Sequence, residues 1–172
     1  MVLKGWFWTL WGAVGVTMHL GLVLYGLVPN LVLRPLHMAY ILPWVFLAAR
    51  GSVSQRISGW LLTLIGMTAC LWVAINADAL GDQYGALEGP LQLIAALALL
   101  LVVMEGARRA IGWPLPVIAA LALAYGVWGP YIPGEFGHAG LPLASFLGTL
   151  TIAEGGLWGS LTGISVGVVA VF

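Results

Sequence analysis

The sequence predicts an all-α, polytopic membrane protein: about five full transmembrane helices, one interfacial amphipathic helix and the start of a further helix. Three observations carry that prediction. Of 172 residues, 62% are hydrophobic and only 7% charged, against roughly 25% charged in an ordinary soluble domain. The apolar residues form long runs without the polar face a helix in water needs, and the charges gather where the runs stop. Several of the nine tryptophans (Trp6, Trp8, Trp60, Trp113, Trp128) sit near run ends. There a ring can be half buried at headgroup depth while its N–H stays wet.

The first span runs roughly from Trp6 to Val28 and is closed by Pro29-Asn30. It is too long for a signal-peptide core, and Leu22-Val-Leu-Tyr-Gly26 is not a small-residue cleavage site, so it reads as a retained helix. Gly12, Gly15, Gly21 and Gly26 along it allow close helix approach. A second span runs from about Pro35, or from nearer Leu31, to Ala49, and Arg50–Arg56 follows as a loop. The third covers about Trp60 to Ala77, before a polar loop with Asp78, Asp82 and Glu88. Leu91–Met104 and Leu115–Val127 are the fourth and fifth, on either side of a charged hinge, Glu105–Pro114. The clearest runs approach the ~20 residues needed to cross ~30 Å of hydrocarbon. Beyond Pro142, Leu143, Phe146, Leu147 and Leu150 recur at i, i+3, i+4, i+7, with Ser145, Gly148 and Thr149 opposite. That pattern predicts an amphipathic helix over Leu143–Ala153, lying flat along the outer interface. A glycine-rich stretch, Glu154–Gly163, then leads into the apolar run Ile164–Phe172. The sequence stops within that run, and a longer protein is the expectation, because half a spanning helix leaves carbonyls open in lipid.

Basic residues orient the bundle. With a cytoplasmic N-terminus, Lys4, Arg50, Arg56, Arg108 and Arg109 fall inside, and Asp78–Glu88 and Pro130–Gly140 fall outside; only Arg34 votes the other way. Six basic and six acidic residues leave zero formal charge, so nothing points to nucleic acid. The single cysteine, Cys70, lies in an apolar run and gives neither a disulfide framework nor a metal cluster. His19, mid-span, is either a functional ionisable group or a neutral ring bonded to a neighbouring helix. Glu105, with Arg108 at i+3 and Arg109 at i+4, is either a gate or an interfacial ion pair at a helix end. Glu154 is a lone acid in a glycine-rich bend, for which capping a helix end is the favoured role. The sequence holds no nucleophile–base pair, metal-ligand spacing or phosphate loop, so an enzyme is not expected.

A set of short segments recurs in a fixed order. Arg34-Pro-Leu-His37 opens the second helix and Glu105-Gly-Ala-Arg-Arg-Ala-Ile-Gly112 closes the fourth. Tyr125, Gly129-Pro-Tyr-Ile-Pro133-Gly and Gly137-His138 follow, then Thr151-Ile-Ala-Glu154-Gly, Gly159 and Gly163-Ile-Ser-Val-Gly167. In this order they resemble the N-terminal part of the fused permeases of tripartite ATP-independent periplasmic (TRAP) transporters, TAXI type. The resemblance covers nearly the whole chain and is thinnest over the first 30 residues; Ala139 departs from it, where many relatives carry a basic residue after the His. It implies that 1–113 form a small four-helix domain and that 114–172 begin the scaffold of a large permease domain. It also implies a bacterial or archaeal cytoplasmic membrane, and a soluble periplasmic protein that delivers an organic acid such as a dicarboxylate or amino acid. Sodium drives such a transporter through an elevator-like movement of the large domain, and this chain itself takes no cofactor. The re-entrant hairpins and broken helices that hold ions are not expected within these residues. His19, Arg34, His37, Glu105, Arg108, Arg109 and Glu154 are the candidate structural or interdomain positions. The other reading is a structural or assembly membrane subunit with no transport role of its own.

Overall fold

The computed structural model describes residues 5–26, 28–48 and 51–171, and Lys4, Arg50 and Phe172 lie outside them. The described residues are built from helices: α1 (Gly5–Tyr25), α2 (Asn30–Leu47), α3 (Val53–Ile75), α4 (Ala77–Asp82), α5 (Gly89–Ile111), α6 (Pro114–Trp128), α7 (Leu143–Thr151) and α8 (Ser160–Val171). Three 3-10 turns, Gly129–Tyr131, Gly134–Phe136 and Gly156–Trp158, complete the order.

Four helical runs, α2, α3, α5 and Pro114–Tyr131, are long and apolar enough to cross a membrane. The 21-residue α1 coincides with the first span read from the sequence. Leu143–Trp158 and Ser160–Val169 pass together, bent by 41° across Gly159, as a broken span or a re-entrant loop would be. The bend falls in the glycine-rich stretch read from the sequence, and a bent pair of this kind departs from the expectation that no broken helix lies within these residues. Gly155 and Gly159 stand where one continuous helix would otherwise run.

The core is the α2–α3–α5 seam. Ala39, Leu42 and Phe46 of α2 meet Leu62, Ala69, Cys70 and Val73 of α3 and Ala96, Leu99 and Val102 of α5. Small residues set the spacing. A Cβ on Gly59 would sit 2.6 Å from the Phe46 carbonyl oxygen, and one on Gly66 2.5 Å from Leu42 Cδ1 and 3.0 Å from Val102 Cγ1. Close approach of this kind replaces the hydrophobic drive that lipid cannot supply between helices. By contrast, α6 buries only Pro116, and Leu115, Val117, Ile118 and Leu121 stay open, as a lipid-facing helix requires.

Several boundaries differ from the sequence reading. Helix α2 begins at Asn30 and carries Pro35 and Pro43 inside it, so Arg34–His37 lies a turn within the helix. Helix α3 starts at Val53, because Ser52 accepts from the Gln55 N–H (3.3 Å) while the Gln55 side chain accepts from the Ser52 N–H (2.9 Å). The expected hinge at Glu105 is helical through Ile111, and Gly112, at φ 85°, ends it. Helix α7 is packed on both sides of its stripe: Leu147, Gly148 and Thr151 are buried, and Gly148 abuts the Gly85 carbonyl. Of the four glycines in the first span, Gly15 lies under the Tyr40 ring; Gly12, Gly21 and Gly26 face open space.

Candidate functional site

The two ends of the helical bundle differ in charge. At one end Arg109 of α5 donates from Nη2 to Ser58 Oγ (2.8 Å) and from Nη1 to the Gln55 carbonyl (3.3 Å), tying α5 to the start of α3. Glu105 accepts two bonds from Arg108 (2.6 and 2.7 Å) and one from Arg109 (2.8 Å). The two guanidiniums also rest on rings, Arg108 over Trp113 at 5.3 Å and Arg109 over Phe46 at 5.1 Å. The three residues thus form a satisfied clamp at a helix end. At the opposite end Asp78, Asp82 and Glu154 line one cavity of about 280 Å³ beside Pro29 and Leu31. Glu154 caps neither neighbouring element: Ile152 terminates α7, and Gly155 precedes the 3-10 turn without a side-chain bond. Among the described residues no group of three His, Cys, Asp or Glu is arranged to hold a metal ion.

A polar chain crosses the interior between these ends. His19 of α1 and His37 of α2 are both buried, with their rings edge to face. His19 Nδ1 lies 2.7 Å from the Gly15 carbonyl of its own helix, and His19 Nε2 lies 2.7 Å from His37 Nδ1. His37 Nε2 lies 3.0 Å from Ser165 Oγ of α8. Helix α1 otherwise meets α2 through aromatic side chains. Trp8 packs on Trp44, and Trp11 stacks on Tyr40 and donates its indole N–H to the Tyr40 carbonyl at 3.0 Å. One turn before His37, Arg34 donates from Nη1 to the Trp158 carbonyl in the turn that precedes α8. Trp158 is fully buried, and its indole donates to the Thr151 carbonyl at 2.8 Å. Two carbonyls of the bend between α7 and α8, those of Thr151 and Trp158, are thereby satisfied by side chains.

Among the sequence candidates, the structure gathers His19, Arg34 and His37 on one face against α8, and keeps Glu105, Arg108 and Arg109 as a separate clamp. Ser165 and Trp158, which complete the first group, were not singled out in the sequence: one entered only within Gly163-Ile-Ser-Val-Gly167, the other only as one of nine tryptophans. Compared with protein-family models, curated proteins and solved structures, the chain matches none.

Proposed function

We propose that this chain is the membrane scaffold part of a sodium-coupled secondary transporter, of the TRAP type that its sequence resembles, importing organic acids handed over by a periplasmic binding protein. The observation that carries the reading is the double latch between α2 and the bent segment. Arg34 holds the Trp158 carbonyl and His37 faces Ser165, so residues 124 and 128 positions apart in sequence are tied together. A scaffold needs this kind of joint, rigid in the frame and closed over irregular backbone where a further domain would continue. The segregation of Arg56, Arg108 and Arg109 at one end supports placing that end in the cytoplasm.

The test is uptake of a labelled dicarboxylate by proteoliposomes holding this chain joined to the rest of its permease, with the periplasmic protein added. Uptake is expected to need both an inward sodium gradient and that protein. Arg34→Ala removes a charge-assisted hydrogen bond worth about 1.5–3 kcal/mol and should abolish most of the uptake while the protein still inserts. Uptake indifferent to sodium, or unchanged in Arg34→Ala, would contradict the proposal.

A further inference from the structure

The directions of the hydrogen bonds through His19 and His37 are fixed by one end of the chain. The Gly15 carbonyl only accepts, so His19 Nδ1 must carry a proton toward it. A neutral His19 then has a bare Nε2, which obliges His37 to donate from Nδ1 across the 2.7 Å gap. A neutral His37 is left with a bare Nε2, and Ser165 must turn its O–H toward it at 3.0 Å. Both rings are therefore Nδ1–H tautomers, and every polar atom of the chain is satisfied without a charge.

We propose that His19, His37 and Ser165 form a proton-binding relay, its two rings buried and its serine exposed, that takes up a single proton from the α8 side. The uptake balances simply. A proton arriving at Ser165 Oγ displaces the hydroxyl proton onto His37 Nε2, and His37 passes its Nδ1 proton to His19 Nε2. One proton has entered, none has left, His19 is an imidazolium, and His37 has exchanged its Nδ1–H for an Nε2–H. A second proton would set two N–H groups against each other across the His19–His37 gap, so the pair holds one charge while that bond persists. The relay stops at the Gly15 carbonyl, so the proton leaves the way it came: this is a store that reports its state to α8, not a wire across the membrane.

The surroundings make the charged state consequential. On α2, Arg34 stands one turn from His37, and the Tyr40 ring lies edge-on to His19 with centroids 5.7 Å apart. Helix α8 and the Gly156–Trp158 turn bring no titratable group. Of the other helices packed on α2, α3 carries Arg56 and Cys70, α4 carries Asp78 and Asp82, and α5 carries Glu105, Arg108 and Arg109. Among the described residues, none of these hydrogen-bonds to either histidine. A proton on the relay places a cation on His19 and turns the His37–Ser165 bond round, His37 Nε2 now donating to Ser165 Oγ, so the α2–α8 contact differs between the two states.

Imidazole ¹⁵N spectra of the full chain in lipid nanodiscs, titrated from alkaline to acid, test this directly. At the alkaline end both His19 and His37 should show the Nδ1–H tautomer. On acidification the pair should take up one proton, one ring gaining a second N–H while the other stays neutral. Ser165→Ala should shift the His37 Nε2 resonance and leave the distant His138 unmoved, and this variant, unlike His37→Gln, keeps both rings. An Nε2–H tautomer at either ring in the alkaline spectrum, two independent protonations, or a His37 signal unmoved by Ser165→Ala would overturn the proposal.

Discussion

At His138 both ring nitrogens meet backbone carbonyls, Nδ1 that of Ala139 at 2.8 Å and Nε2 that of Tyr125 at 3.2 Å. A carbonyl cannot donate, so only the imidazolium satisfies both. The Ala139 carbonyl first, and the Tyr125 carbonyl second, raise the ring's pKa above its ordinary 6.5. A pKa raised by folding contributes stability that is complete below the unfolded value and is lost as pH climbs through the folded one. Amide protection factors across 137–140 should therefore be highest in acid and fall as pH rises from about 6.5. Gly129 leaves the room this ring occupies, so Gly129→Ala should displace it and flatten the profile. Protection independent of pH in the unaltered protein would refute the account. Arg109 is a second residue with a defined load, serving Glu105, Gln55 and Ser58 at once. Arg109→Ala should cost about 1–2 kcal/mol of stability, and Arg109→Lys should recover only part, because an ammonium lacks the planar fork. Reversible unfolding in detergent measures both. Equal stability of the lysine and arginine forms would contradict the geometry.

Among the elements, those whose cause is local were legible and those whose cause is tertiary were not. The runs that became α3, α5 and α6 stand out by apolarity alone, but their ends did not. Ser52-Val-Ser-Gln55 is a capping box readable in sequence, and it begins α3 well before Trp60. Glu105–Ile111 read as a hinge because charge was taken for an end. Its i, i+3 and i, i+4 pairs instead extend α5 to Gly112. The bend before α8 was legible as the glycine-rich stretch Glu154–Gly163, but the groups that stabilise it, Arg34 and the Trp158 indole, were not, because they act across the fold. His19 was legible as a polar group awaiting a partner, but not which partner, since His37 lies 18 residues away on another helix. The seam at Gly59 is the sharpest element-scale prediction. Gly59→Ala forces its Cβ against the Phe46 carbonyl, where backbone must yield, and overpacking of this kind costs about 1–3 kcal/mol. Gly12→Ala on α1, where a Cβ meets open space, should be neutral by the same unfolding measurement. Similar losses at the two sites would show that the seam does not set the packing.

On the scale of the whole molecule, Arg56, Arg108 and Arg109 cluster at one end and Asp78, Asp82 and Glu154 at the other. Lys4 and Arg50, which also entered the orientation argument, lie outside the described residues. That the chain is all-helical, with helices long and apolar enough to cross a membrane, was plain from composition; the joining of the front helices to α8 was not, because contacts across more than 120 residues leave no pattern in a single chain. Labelling of single cysteines in a Cys70→Ser background should find Ser54 reachable only from the cytoplasm and Gln83 only from outside, as the basic residues require. Periplasmic labelling of Ser54 would invert the orientation while leaving the frame intact. The central claim, a frame that works only with a moving domain, is tested most directly in liposomes. Proteoliposomes holding residues 1–172 alone, under an inward sodium gradient, are expected to show no saturable organic-acid uptake, while the chain joined to the rest of its permease and supplied with the periplasmic protein does. Saturable, sodium-dependent uptake by residues 1–172 alone would contradict the account.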